Sequence, residues 1–359
     1  MGSTENRPST IKNKRPNDLV YTNMYPNYAT PAQLYGATPP AAGYSYAQYL
    51  NDVVQIARPD ILMYDHYPFL SDAQTTTSSG FFENLMQVRN KALENDLPYW
   101  AFLQSWESTA SGYRLPSSSD VRMQAFSHAT AGYTGLAYFT FDHLTNRTLL
   151  DASGNPTALY PKVAALNEEI ENLGQALRFM TSDDVKFVQG SRIKNGISVA
   201  NDVPRGLDRW TATNDSDEHI QSISIGNFGA EQNGLLGCFT DDNGDDAFMI
   251  MNLNHDDNIE STSSATAFTI RFDLAITELL RLDRRTGQQV TVPLAKMLTY
   301  NELAISIPAG TAELFKYHGS LLGGDFIVPE PSATALLGVT VALACGGFGR
   351  KRRCKTIRC

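Results

Sequence analysis

The chain has 359 residues, 42% of them hydrophobic and 19% charged, an ordinary globular composition long enough for two domains and a tail. Its net charge of −9 understates the acidity of the body: six of the 29 basic residues lie at Arg350, Lys351, Arg352, Arg353, Lys355 and Arg358, which leaves 23 basic against 38 acidic side chains before them. Such a body repels phosphate backbones and argues against nucleic acid as a partner. With no CxxC pair and no metal-spaced histidines, neither a metal nor a cofactor is expected.

Met1 to Asn17 is polar and basic, with no apolar run, and reads as disordered. From 18 to 180, short apolar, aromatic-rich runs alternate with helical stretches. The runs are Leu19 to Tyr25, Asp60 to Tyr67, Tyr99 to Trp106 and Gly135 to Phe141, most of them bounded by Pro, Gly or Asp as buried parallel strands are. The helices predicted between and after them are Tyr44 to Ala57, Phe81 to Glu94, Asp120 to Gly132 capped by Ser119 or Asp120, and Pro161 to Leu173. Strand then helix, four times over, is an α/β repeat and half of an eight-unit barrel. A half barrel leaves strand edges and an apolar interior exposed.

From about Val185 the pattern changes to short strands. They are Ile223 to Ile225, Gly237 to Thr240, Phe248 to Leu253, Ala267 to Phe272, Glu278 to Leu282, Gln289 to Val292 and Leu303 to Ile307, with Asn243-Gly244 and Thr286-Gly287 as turns. This spacing predicts an antiparallel β-sandwich over 185–317. Residues 318–327, with Gly319, Gly323 and Gly324, read as a linker. The tail (328–353) has three parts: Val328-Pro329-Glu330-Pro331-Ser332, the sixteen uncharged residues Ala333 to Phe348, and the cluster Arg350 to Arg353. As a helix the middle part would rise about 24 Å, enough to approach a roughly 30 Å hydrocarbon core with its basic end cytoplasmic. The expected fold class is therefore α/β plus all-β: a partial (β/α) barrel, an antiparallel β-sandwich and a C-terminal transmembrane helix.

The order Pro-Glu-Pro, apolar stretch, Arg cluster closely resembles the PEP-CTERM sorting signal of Gram-negative envelope proteins. The resemblance implies export, recognition near Pro329, Glu330 and Pro331 by an exosortase-type membrane protease, and anchoring through 333–348 before processing. The cysteines Cys354 and Cys359 depart from the usual ending. An exported protein needs a signal peptide that Met1 to Asn17 lacks, so the natural chain is expected to begin further upstream.

In a parallel α/β barrel, functional side chains gather where strands end. The four strand ends read Asn23-Met24-Tyr25-Pro26-Asn27-Tyr28, Tyr64-Asp65-His66-Tyr67-Pro68, Gln104-Ser105-Trp106-Glu107 with Tyr113 and Arg114 following, and Phe139-Thr140-Phe141-Asp142-His143. Rings that stack on pyranose faces, mixed with amides and carboxylates that bond hydroxyls, suit a sugar-binding cleft. The expected carbohydrate contacts are Asn23, Tyr25, His66, Tyr67, Gln104, Trp106, Arg114 and Asp142.

Those strand ends, together with Gly132-Tyr133-Thr134-Gly135-Leu136-Ala137-Tyr138-Phe139 and Ile307 to Phe315, resemble the C-terminal half of a β-galactosidase-like glycoside-hydrolase TIM barrel and the last strand of its appended sandwich. The resemblance covers about 18–317. It implies a carbohydrate-active enzyme with two catalytic carboxylates roughly 5–9.5 Å apart. Glu107, beyond the strand matching the seventh of such a barrel, is one candidate and Asp65, ending the strand matching the sixth, is the alternative. The other reading is a non-catalytic, envelope-sorted protein that binds glycans or scaffolds a biofilm matrix. The run Asp241-Asp242-Asn243-Gly244-Asp245-Asp246 lacks the Gly and Glu positions of an EF-hand loop and reads as a hairpin turn.

Overall fold

A computed structural model describes residues 13–40, 43–71, 80–142, 147–214, 217–226, 232–257, 260 and 264–322. The chain divides into two units, Met1–Leu322 and Gly323–Cys359. The expected sorting tail, its membrane segment 333–348 and residues 323–327 of the linker lie outside the described residues, as do residues 1–12 and His143. Among the described residues no helix is long and apolar enough to cross a membrane.

Four strands, β1 (Tyr21–Met24), β2 (Ile61–Asp65), β3 (Tyr99–Gln104) and β4 (Gly135–Phe139), form one parallel sheet in sequence order. Their register aligns Met24 with Tyr64, Tyr64 with Ala101, and Leu103 with Tyr138. Side chains alternate along a strand, so those residues share one face and pack under the helices. The other face carries Asn23, Met63, Asp65, Phe102, Ala137 and Phe139. β1 and β4 are the edges and have no further strand beside them among the described residues. Exposed Tyr21 and Phe139 lie on these edges.

The helices are α1 (Pro31–Tyr35), α2 (Tyr46–Asp52) continued by a π-helical turn Val53–Ala57, α3 (Phe81–Leu93), α4 (Ser118–Thr130) and α5 (Tyr160–Leu177). The short helix α1 has no counterpart in the expected elements; Thr30 and Gln33 close a capping box at its start. The cap of α4 is Ser117, two or three positions before the expected Ser119 or Asp120. Asp120 sits at N3 and returns the bond to the cap amide.

The β-rich part begins directly after α5 with β5 (Met180–Val188), ahead of the expected change at Val185. It continues with the hairpin β6 (Ser191–Lys194) and β7 (Ile197–Ala200), then β8 (Asp208–Arg209), β9 (Ile220–Ile225), β10 (Gly234–Asp241), β11 (Asp246–Asn252), β12 (Thr266–Phe272), β13 (Glu278–Asp283), β14 (Gln288–Pro293), β15 (Ala295–Lys296), β16 (Asn301–Ile307) and β17 (Ala312–Lys316). Two sheets result, β14-β13-β17-β11-β10-β5-β8 and β15-β16-β12-β9. Pairing is antiparallel except between β5 and β8, which run parallel.

The central strands of the larger sheet, β10, β11 and β17, are buried on both faces. Leu235, Phe239, Met249, Met251 and Leu314 join the core beneath the helices. Leu236, Phe248, Ile250 and Phe315 join a second core with Phe268, Ile270 and Phe272 of the smaller sheet. Double burial explains why β10 and β11 read as continuous apolar runs rather than alternating ones.

All thirteen residues of α4 are buried between the parallel sheet and the larger sandwich sheet. A Cβ on Gly237 would lie 2.0 Å from the Thr130 carbonyl oxygen, and one on Gly310 would lie 2.4 Å from that of Ser119. Only glycine admits the helix this closely at either end. Buried His128 illustrates how α4 meets its polar obligations. Its Nδ1 lies 2.7 Å from the Gln124 carbonyl, so Nδ1 carries the proton and Nε2 accepts the Tyr64 hydroxyl at 3.0 Å.

Burial pushes the His128 ring down to about 4, below its unfolded value of about 6.5. Stability from the neutral ring is complete above that unfolded value and is lost as pH falls towards 4. We expect thermal unfolding across this window to show a loss of about 3 kcal/mol that His128→Gln largely removes; equal pH profiles for the two proteins would refute it.

Candidate functional site

The C-terminal ends of β1 to β4 open onto one rim, and Asp65 is its half-buried carboxylate. Burial pushes the Asp65 carboxyl up from its usual value, against hydrogen bonds from the Tyr67 and Asn23 side chains and its own amide. Burial and the Asp65 charge together push the Tyr67 phenol far up, so it stays a neutral donor.

Five rings from four successive strand ends assemble beside this carboxylate. Tyr67 stacks on Phe139 with centroids 5.6 Å apart and meets Trp106 and Tyr113 edge-on at 6.0 and 6.1 Å. Trp106 also contacts Tyr113 and Phe139. The Tyr28 hydroxyl lies 3.4 Å from that of Tyr113. The buried indole N–H of Trp106 has no hydrogen-bond partner among the described residues. Tyr28 is 52% exposed and Phe139 41%, so the cluster presents ring surface outward. The Phe139–Thr140 peptide beside it is cis.

Of the expected contacts, Asn23, Tyr67 and Trp106 are at this rim with Asp65. Tyr25 is exposed close by, and its backbone is held by the Tyr46 and Tyr49 hydroxyls. Tyr28, Tyr113 and Phe139 were not among the expected contacts, although each lies in one of the strand-end segments. A Tyr or Phe looks the same in sequence whether it packs inward or lines a rim, so only the register separates them.

Three expected contacts are engaged inside the protein instead. Gln104 is fully buried: its Oε1 accepts the Phe69 amide at 3.0 Å, and its Nε2 donates to the carbonyls of Phe69, Trp106 and Arg114. It braces the loop that carries Trp106. His66 is 2% exposed, with Nδ1 3.0 Å from Asn84 Oδ1. That same oxygen accepts the Asn27 amide, and Asn84 Nδ2 donates to the Tyr46 hydroxyl, so this network locks the β1 loop onto α3. Arg114 pairs with Asp120 at 2.5 Å and lies over the Phe69 ring. A fully buried carboxylate needs that charge: burial alone would raise Asp120, yet hydrogen bonds from His255 and Arg114 hold it below its usual range.

Glu107 forms a two-pronged ion pair with Arg147, both contacts 2.6 Å. This pair holds its carboxyl below the usual value, so near neutral pH it is ionised and cannot donate a proton. Asp142 is exposed, and its carbonyl accepts the Thr140 hydroxyl. The acidic run 241–246 is the β10–β11 hairpin turn, with Asp241 Oδ1 taking the amides of Asn243 and Asp245. The Lys316 ammonium lies 2.5 Å from Asp241 and 2.9 Å from Asp245, so an internal cation already sits among these carboxylates. Among the described residues no group of three His, Cys, Asp or Glu side chains is placed to hold a metal.

No protein-family model matches the chain, and no curated protein matches it. Among solved structures, a GH30 endoxylanase from Clostridium papyrosolvens C71 aligns with TM-score 0.31 at 12% identity, over 75% of this chain and 52% of that one. A GH family 44 endoglucanase from Clostridium thermocellum aligns with TM-score 0.34 at 11% identity, over 87% and 59%. A Paenibacillus polymyxa xyloglucanase of glycoside hydrolase family 44 gives 0.33 at 11% over the same shares. The chain thus spans 52–59% of the length of these structures.

Because folding raises the Asp65 carboxyl, its charge opposes the fold at neutral pH, and the cost vanishes once it is protonated. We expect Asp65→Asn to raise the thermal midpoint at pH 7, with the gap to wild type closing as pH falls through the folded value. A variant less stable at pH 7 than wild type would contradict this.

Proposed function

We propose that the protein is glycoside-hydrolase-like and binds carbohydrate at the rim around Asp65. The observation that carries this reading is the convergence of Tyr28, Tyr67, Trp106, Tyr113 and Phe139 beside a half-buried carboxylate hydrogen-bonded by Tyr67 and Asn23. The rings offer stacking faces, Asp65 accepts from hydroxyls, and the Trp106 indole N–H is a buried donor for an oxygen ligand. If the site is hydrolytic, the raised carboxyl of Asp65 suits a proton donor and the ionised Glu107 a nucleophile or base.

The second reading, binding without turnover, is favoured by one specific feature. Both oxygens of Glu107 are held by Arg147, and an attacking carboxylate would have to break that pair. Calorimetry with xylo-, cello- and galacto-oligosaccharides, beside a chromogenic glycoside screen, separates the two readings. Binding should weaken by about tenfold or more in Tyr67→Ala and Trp106→Ala, as the loss of one stacking ring implies. Turnover abolished by both Asp65→Asn and Glu107→Gln would support the enzyme reading. Binding with no turnover would support the glycan-binding one, and no binding to any sugar would remove both.

The tail supports an envelope assignment, with sorting near Pro329-Glu330-Pro331 by an exosortase-type protease and membrane insertion through 333–348. Intact mass of the protein recovered from the envelope fraction tests this. Release of the segment after Pro331 should depend on these residues, and Pro329→Ala with Pro331→Ala should leave the tail attached. Cleavage unaffected by these changes would refute the assignment.

A further inference from the structure

A crevice of about 340 Å³ lies where α4, α5 and the β13–β14 turn meet, and it shares no lining residue with the Asp65 rim. Residues 1–349 hold only 23 basic side chains against 38 acidic ones, yet Arg122, Lys162, Arg284 and Arg285 all line this crevice. One carboxylate, Glu169, lines it with them.

Two of the cations are fixed in place. Arg122 donates from Nε to the Thr311 hydroxyl at 2.9 Å and grips Glu169 with both terminal nitrogens at 3.2 and 2.6 Å. Arg284 lies between Glu169 and Glu313, 2.8 Å from each. These two arginines and two glutamates balance one another and form a rigid wall. Burial nevertheless holds the Arg284 guanidinium below its usual value, and the charges of Arg122 and Arg285 push the same way against the two glutamates. The remaining two cations stand at the mouth. Arg285 is exposed, with no ion pair among the described residues. Lys162 pairs with Glu260, both side chains partly exposed, and such a pair exchanges readily with another anion.

The crevice also receives the first turns of α4 and α5, at Ser118 and Lys162, adding the positive ends of two helices to the side-chain charge. Pro161 and Pro308 contribute apolar wall, which suits a ligand with a carbon skeleton. The volume falls at the lower end of small-molecule sites.

We propose that this crevice is a binding site for a small oxyanion, the chemistry shared by the carboxylate of an acidic sugar and by sulfate or phosphate groups. Arg285 and Lys162 grip the anion, and the Arg122–Glu169–Arg284–Glu313 network holds the wall behind it. The proposal does not rest on the carbohydrate reading of the Asp65 rim.

Calorimetry on the full-length chain at low ionic strength, with glucuronate, sulfate and inorganic phosphate as probes and glucose as the neutral control, tests it. We expect saturable binding of at least one oxyanion and none of glucose. Binding should weaken by about tenfold in Arg285→Ala and further in the Lys162→Ala/Arg285→Ala double variant. Glucuronate binding alone would identify a carboxylate ligand, and sulfate or phosphate binding an ester-type one; either supports the site. Both substituted side chains reach solvent, so an unchanged thermal midpoint verifies the fold. Any neutral-oligosaccharide binding at the aromatic rim should persist in the double variant. Absence of saturable oxyanion binding, binding indifferent to the double variant, or equal binding of glucose would overturn the proposal.

Discussion

The structure depends on a helix with no solvent face. Every residue of α4 is buried between the parallel sheet and the sandwich, although eight of its thirteen side chains are Ser, Asp, Arg, Gln, His or Thr. Burying polar groups without partners costs more than their hydrogen bonds return, so almost every one must find a partner in another element. Asp120 takes Arg114 and His255, Arg122 takes Glu169 and Thr311, and His128 takes Tyr64. Gln124 is the most informative. Its amide receives the Gln104 N–H at 2.7 Å and donates to the Gln104 carbonyl at 3.1 Å, standing in for a strand at the end of β3.

These bonds reach β2, β3, α5, the loop before β17 and the loop after β11. The parallel sheet with its helices and the sandwich therefore behave as one packed body, and the rim inherits its geometry from that body. Gln104, tied to Gln124 on one side, holds the Phe69, Trp106 and Arg114 backbones on the other. Arg114 closes the same circuit through Asp120 at the start of α4. Gln104, His66 and Arg114, three of the expected ligand contacts, brace the loops beside the rings. The rings themselves, with Asp65, meet the solvent.

The oxyanion crevice proposed above grows from the same constraint. Arg122 is on α4, and its buried charge requires Glu169, which in turn draws Arg284 from the sandwich. A network that satisfies buried charge leaves two further cations, Lys162 and Arg285, at its outer edge. Satisfying the interior and presenting charge to solvent are thus consequences of one packing decision.

Much of the architecture is legible in the residues themselves. The inner apolar runs, β2 and β3, are strands whose aliphatic and aromatic residues are largely buried, and Phe81 to Glu94 is a helix because its apolar residues recur on one face. The hairpin at Asn243-Gly244 follows from local turn chemistry. Strand-end position in the sequence is enough to group Asp65, Asn23, Tyr67 and Trp106. Local patterns could not reveal that α4 is buried all round, because its sequence has no apolar stripe and its partners lie up to 189 residues away. Nor could they assign Gln104 and His66 to bracing, Glu107 to Arg147, or Lys316 to the acidic turn. Each of those roles is set by which groups meet across the folded chain. Hydrophobic period and turn chemistry act over a few residues, whereas satisfaction of a buried polar group depends on partners that only the tertiary packing brings within 3 Å or so.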